Sequence, residues 1–240
     1  MSVISDFLVE KLPYVTIIVF ILGIVWRLNR WFSAPRDQGK IKFDPISSIK
    51  YIVLDVILFR KQFKTDKLTW FVIFVFHMCI AGIMFGHMRG FYWWSASLFS
   101  PFGSDFTHFM IEVLPLYVGW IFIGTQVILL LRRAAFERKK LQSSPGDYLV
   151  LILLLATSIV GQGTRIIPPE IIPPEVYDII FIPGLIVLHL EKVPNDLWFS
   201  MHVLTTQLFV MYTPFSKLVH IFSGVVTSAI YGSRRKEYGI

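Results

Sequence analysis

A single cysteine, Cys79, stands among the 240 residues of the chain. One thiol cannot close an internal disulfide, hold an iron–sulfur cluster by itself, or supply the paired cysteines that tether a c-type haem. Cys79 therefore reads as a small apolar packing residue. Acidic side chains are scarce as well, 16 against 23 Lys and Arg, and the apolar stretches hold almost none apart from Glu112. The opening residues, MSVISDFLVEK, lack the basic leader and small-residue cleavage site of a signal peptide, so the first apolar stretch is expected to be retained. No HExxH pair suggests a membrane metalloprotease.

What the chain has instead is hydrocarbon: 55% of its residues are hydrophobic, and its mean hydropathy is +0.63. The apolar residues gather into five blocks, 14–28, 68–88, 110–131, 148–161 and 197–222, close to the ~20 residues that cross a ~30 Å hydrocarbon core. Each span has to be helical, because a lone strand would leave backbone N–H and C=O groups unpaired in lipid. The expected fold is an all-α integral membrane protein, a five-helix transmembrane bundle forming one domain over residues 1–240, multi-pass in the cell membrane.

Positive charge orients such a bundle, since Lys and Arg in short loops favour the cytoplasmic side. Ten Lys and Arg lie between Arg27 and Lys67, five in RRAAFERKK at 132–140, and the tail holds Arg234, Arg235 and Lys236. The intervening segments on the other side carry only Arg89, Arg165 and Lys192. The N-terminus is thus expected outside and the C-terminus in the cytoplasm. Topology and anionic headgroups account for the net charge of +7 without a nucleic acid partner. Within the cytoplasmic segment 29–67, PISSIKYIVLDVILF at 45–59 is apolar but too short to span, and reads as an interfacial helix, with a partner-docking helix as the alternative. The local duplication IIPPEIIPPE, at 166–175 of the outer segment 162–196, reads as a turn-rich spacer.

Six histidines remain: His77, His87, His108, His189, His202 and His220. Ionisable side chains in membrane spans are costly and mark cofactors, ion paths or bundle-interior contacts. One isolated histidine would read as a hydrogen bond to a neighbouring helix. Here four of the six fall in or beside two spans. Ten residues rise ~15 Å and eighteen rise ~27 Å along an ideal helix, so each span carries imidazoles at two depths, and His202 and His220 share a face. Spans two and five run antiparallel, which matches inner His77 with inner His220 and outer His87 with outer His202. The two separations differ by ~12 Å, and Pro214 between His202 and His220 can bend the fifth helix to reconcile them. Two imidazoles facing one another suit a haem iron. Zinc would want three or four ligands at one depth, and a proton-relay transporter would want acidic partners in mid-membrane.

Three stretches, PYVTIIVFILGIVWR at 13–27, FHMCIAGIMFGH at 76–87 and PFSKLVHIFS at 214–223, resemble the gamma subunit of respiratory nitrate reductase and its relatives in sulfite-reductase-associated and heterodisulfide reductase complexes. The ten- and eighteen-residue histidine spacings resemble that family too. The resemblance implies that His77, His87, His202 and His220 are axial ligands of two b-type haems. It further implies oxidation of a membrane quinol (a quinone or phenazine pool) near the outer haem and delivery of electrons to a cytoplasmic iron–sulfur subunit. Gly86 matches a family position lining the quinol pocket. Arg89 suits a haem propionate or a lipid headgroup, and His108 suits a quinol proton acceptor or a plain surface histidine; His189 reads like His108. The stretch 47–70 looks closer to the sulfur-associated relatives than to nitrate reductase. A membrane anchor with structural haem and a haem-free transporter are the competing classes.

Overall fold

The computed structural model describes residues 4, 7–33, 43–91, 93–136, 143–166 and 197–237. The IIPPEIIPPE duplication, almost all of it, and His189 fall outside them. Among the described residues every regular element is helical: α1 (Phe7–Phe32), α2 (Pro45–Ile52), α3 (Arg60–Thr65), α4 (Lys67–His87), α5 (Ser104–Ala135), α6 (Pro145–Ile166), α7 (Leu197–Tyr212) and α8 (His220–Glu237). Four of these, α1, α4, α5 and α6, are long and apolar enough to cross a membrane, and α7 with α8 makes a fifth if the bent pair is one span. Their apolar faces point outward: only 11% of the apolar window of α4 is buried within the protein. Side chains such as Ile18, Leu22, Phe71 and Met84 stand exposed, which suits lipid as the solvent and leaves helix contacts to other residues.

Prolines set local irregularities. The π-turns Phe7–Lys11 in α1 and Phe109–Val113 in α5 each stop two residues before a proline, Pro13 and Pro115. A proline ring displaces the preceding turn and lacks an N–H, and the widened turn absorbs both defects. Proline also opens α2 at its first position, behind the cap Asp44, whose carboxylate accepts from Ser47 N at 3.2 Å.

Helix α4 packs on α5, α5 on α6, α6 on α7, and α7 on α1. Polar and small side chains join these pairs. Gln126 on α5 donates to Ser158 Oγ on α6 at 2.8 Å. Gln162 on α6 donates to Leu116 O at 2.9 Å and lies over Gly119, where any Cβ would collide with it. Gln207 on α7 accepts from Thr16 Oγ1 at 2.9 Å and donates to Leu8 O at 2.7 Å, a carbonyl in the π-turn of α1. Hydrogen bonds of this kind contribute ~0.6–2 kcal/mol each between membrane helices. At the centre Cys79, Phe122 and Leu154 are buried together, with Phe76, Ile83 and Phe209 packed against them.

The fifth span, read over 197–222 as a helix that Pro214 can bend, is broken outright. Helix α7 stops at Tyr212, the chain passes through two short 3-10 turns, Thr213–Phe215 and Lys217–Val219, and α8 leaves at 72°. Pro214 cannot continue the helical ladder, and Ser216 takes an extended conformation with its hydroxyl accepting from Leu218 N. Helix α1 holds this break. Gly23 lets Pro214 approach so closely that a Cβ on the glycine would stand 2.7 Å from Pro214 Cβ. Trp26 packs on Phe215. Arg27 donates to Pro214 O at 3.1 Å and to Ser216 O at 3.2 Å, filling carbonyls that the interrupted helix leaves unpaired.

The short helix expected within 45–59 forms as α2, continued by a π-turn Val53–Ile57, and it packs along α8. Ser48 donates to Ala229 O at 3.0 Å and meets Ser233 Oγ at 3.0 Å, while Gly232 abuts Ser47 O. The segment is thus an integral brace for the last helix. The fourth span is longer than the 148–161 read from sequence, running through Gly161 and Gly163 to Ile166.

Ion pairs draw the Lys- and Arg-rich ends together. Arg132, at the end of α5, pairs with Asp66, the cap of α4, and Lys217 pairs with Asp147, in the first turn of α6, at 2.6 Å. Asp66 also accepts from Thr69 N at 3.0 Å and Thr69 Oγ1 at 2.8 Å. The Thr69 backbone bond, then Arg132, hold the Asp66 carboxyl well below its usual 3.8. A depressed carboxylate contributes stability that is whole above the unfolded-state value and is lost as pH falls below it. The melting temperature of wild type should therefore exceed that of Asp66→Asn at neutral pH, and the gap should close on acidification below about pH 4. A gap that does not narrow between pH 4 and pH 2 would contradict the pairing.

Candidate functional site: two histidine pairs at two depths

His77 and His87 stand on α4, His202 on α7, and His220 at the first turn of α8. The rings of His77 and His220 have centroids 6.3 Å apart, and so do those of His87 and His202, with interplanar angles of 81° and 33°. The sequence reading matched the same residues, His77 with His220 and His87 with His202. The route differs: His220 reaches its partner across the break after Tyr212, so the shared face of an uninterrupted helix plays no part.

Helix α4 meets α7 through His87 and His202 and through the central cluster, and meets α8 through His77 and His220. Cys79, Phe76 and Ile83 from α4 and Phe209 from α7 take part in that cluster. The two pairs have no histidine in common, so each is a separate two-imidazole site. Among the described residues no group of three or more His, Cys, Asp or Glu converges as a bare metal ion would require.

All four rings are oriented the same way chemically. His77 Nδ1 donates to Ile73 O at 2.7 Å, His87 Nδ1 to Ile83 O at 2.8 Å, His202 Nδ1 to Thr157 O at 3.1 Å, and His220 Nδ1 to Lys217 O at 2.9 Å. A carbonyl oxygen only accepts, so the proton sits on Nδ1 and the lone pair is left on Nε2. That tautomer is the one that second-shell carbonyls impose on metal-bound histidines. Metal–imidazole bonds of ~2.0–2.1 Å, with a five-membered ring of ~1.3–1.4 Å bonds beyond each, place two ring centres about 6 Å apart across one metal. Both pairs have that spacing, and the residues fit a bis-imidazole iron.

The walls differ between levels. His202 lies in a notch in α6 made by Gly161, where a Cβ would stand 2.7 Å from His202 Cε1. His77 is flanked by Phe76 at 5.1 Å and by Phe59 at 4.6 Å, centroid to centroid. His77 and His220 border an open cleft whose other walls include Ile73, Leu129, Leu151 and the two arginines Arg132 and Arg133. Sequence reasoning assigned those arginines only to topology, and missed Thr157, Gly161 and Phe59. A run of glycines at 161 and 163 was the signal for the notch.

Of the remaining candidates, Gly86 and Arg89 flank His87 in sequence. Gly86 faces open space, with nothing within 4 Å of where a Cβ would stand. Arg89 is half-buried in the short 3-10 turn Met88–Phe91 directly after His87, and His108 is exposed within α5. Nearby, Trp94 stacks on Phe85 and donates to Phe85 O at 2.8 Å.

The sequence of the chain matches the family model of the nitrate reductase gamma subunit over residues 60–233, a range holding all four paired histidines. It is also 23% identical, over an alignment of 253 residues covering 87% of this chain and 74% of the relative, to the Hdr-like menaquinol oxidoreductase cytochrome b-like subunit of Archaeoglobus fulgidus.

Proposed function

The chain belongs to the nitrate reductase gamma subunit family, and from that premise we propose that it is the dihaem b-type cytochrome subunit of a respiratory membrane complex. In this reading it takes electrons from a membrane quinol at its outer side and passes them to a cytoplasmic iron–sulfur partner. The observation that carries the proposal is the pair of facing imidazoles at each of two depths, each ring tied through Nδ1 to a backbone carbonyl with Nε2 free. His87 and His202 would hold the outer haem, His77 and His220 the inner. Haem bound there supplies reversible one-electron carriage at two depths.

The chain's own residues do the rest. The four carbonyl bonds fix ring tilt and raise ligand basicity. The buried cluster of Cys79, Phe122 and Leu154 ties α4, which carries His77 and His87, to α5 and α6. Outside, the bare flank of Gly86 leaves room for a quinol ring beside His87, Arg89 offers a cation to a propionate or headgroup, and His108 offers a proton acceptor. In this reading the N-terminus lies outside, and the basic, ion-paired end of the bundle would face the cytoplasm and meet an acidic partner there. The relative's name favours menaquinol as the donor and a heterodisulfide-reductase-type partner over a nitrate-reductase one.

The purified chain should be red, carry close to two b-type haems, and be reduced in vesicles by a menaquinol analogue. A colourless chain would end the proposal, and haem without quinol-dependent reduction would make the haem structural. The notch in α6 supplies a sharper check. Gly161→Val puts a branched side chain into the His202 ring and breaks its bond to Thr157 O, so the outer haem should be lost or weakened while the inner one stays as an internal control, read from reduced-minus-oxidised spectra.

A further inference from the structure

Phe59 is the one residue other than glycine with positive φ among the described residues, at φ 48° and ψ 41°. In this left-handed region a Cβ crowds the following carbonyl, and for a bulky side chain the conformation is an outlier that glycine would adopt freely. The surrounding turn is pinned on both sides. Trp70 Nε1 donates to Leu58 O at 2.8 Å, Arg60 Nε donates to Asp55 at 3.0 Å, and Phe63 N donates to Phe59 O at 3.0 Å. Asp55, which anchors Arg60, has a side chain only 3% exposed.

The turn costs energy as long as a phenylalanine occupies it, and its hydrogen bonds would survive a glycine. The reason for the side chain lies in where it points. The Phe59 ring rests 4.6 Å from the His77 ring with 42° between planes, on the segment that precedes α4, and it is half-buried. Strained bulky residues held this way mark functional contacts.

We propose that Phe59 is a positioning residue for the inner site: its ring fixes the rotation of His77 and shields the inner iron from water at the basic end of the bundle. The inference rests on the haem reading above. Ferric haem carries one more positive charge than ferrous, and a water-poor surrounding disfavours the more charged form. Burial is one of the protein's levers on haem potential, and the Phe59 ring raises that of the inner haem.

The test uses the full-length chain with its haems. Phe59→Gly should fold, since glycine takes the turn without strain. Its inner Fe(III)/Fe(II) equilibrium should shift about tenfold toward ferric, which is ~59 mV for one electron, with the outer potential unchanged. Phe59→Leu, which keeps apolar bulk over His77, should shift less than half as far. Selective loss of the inner haem in Phe59→Gly would also support the proposal. An unchanged inner potential in Phe59→Gly, or an equal shift at both haems, would overturn it. A wild-type chain with no haem would instead overturn the functional reading itself, a different result.

Discussion

His202→Ala is expected to halve the haem content of the purified chain and to leave the spectrum of the His77–His220 site intact. A bis-imidazole haem is held by two protein bonds, and the partner ring at 6.3 Å cannot hold the iron alone in the same low-spin form. The pairing makes the result a logic test. His87→Ala should give the same single-haem product as His202→Ala, and the double variant should lose nothing more, because residues acting as one unit are not additive. Combining His202→Ala with His220→Ala should remove both haems. If His77→Ala and His87→Ala removed the same haem, ligands would come from one helix and the cross-helix arrangement would fail. Haem per chain by pigment extraction, with potentiometric titration to identify the survivor, reads all of these outcomes.

The second large effect is expected from a residue that touches no histidine. Arg27 fills two carbonyls, Pro214 O and Ser216 O, that the break between α7 and α8 strips of helical partners. Each buried carbonyl left bare costs ~1–3 kcal/mol, so Arg27→Leu should loosen the break itself. His220 begins α8 four residues after Ser216, whereas His202 lies deep in α7 and is tied to α6. On heating, Arg27→Leu should therefore lose the inner haem well before the outer one, while in wild type the two losses fall closer together. Arg27→Lys, with a single ammonium in place of the planar fork, should recover only part of the difference. Coincident losses in Arg27→Leu would mean the break is held by Gly23 and Trp26 alone.

Which histidines face one another was legible in the sequence, because span length and the placement of Lys and Arg already fix helix direction, and direction fixes which depths match. The break was legible only as a bend at Pro214. Its outcome, a helix leaving at 72° to lie along α2, depends on Ser48, Ser233 and Gly232, a small-residue contact between distant segments that has no local periodicity. The fourth span read short because Gly161, Gln162 and Gly163 look like a helix end in water. Between membrane helices the same residues are packing surface: Gln162 lies over Gly119, and Gly161 makes room for His202. Phe59 was invisible for a different reason: positive φ is signalled by Gly or Asn, and nothing in ILFRKQ announces that the turn is held by Trp70, which bonds the neighbouring Leu58 O from twelve residues away.

The 72° departure of α8 has a mechanical consequence. With 18 residues the helix is a rod ~27 Å long, hinged beside Pro214 and carrying His220 at its root. A swing of about 5° moves the free tip by roughly 2 Å while the imidazole at the fulcrum barely translates. A push on the tip or on the α2 brace thus arrives at His220 geared down, as a fine change of ring tilt.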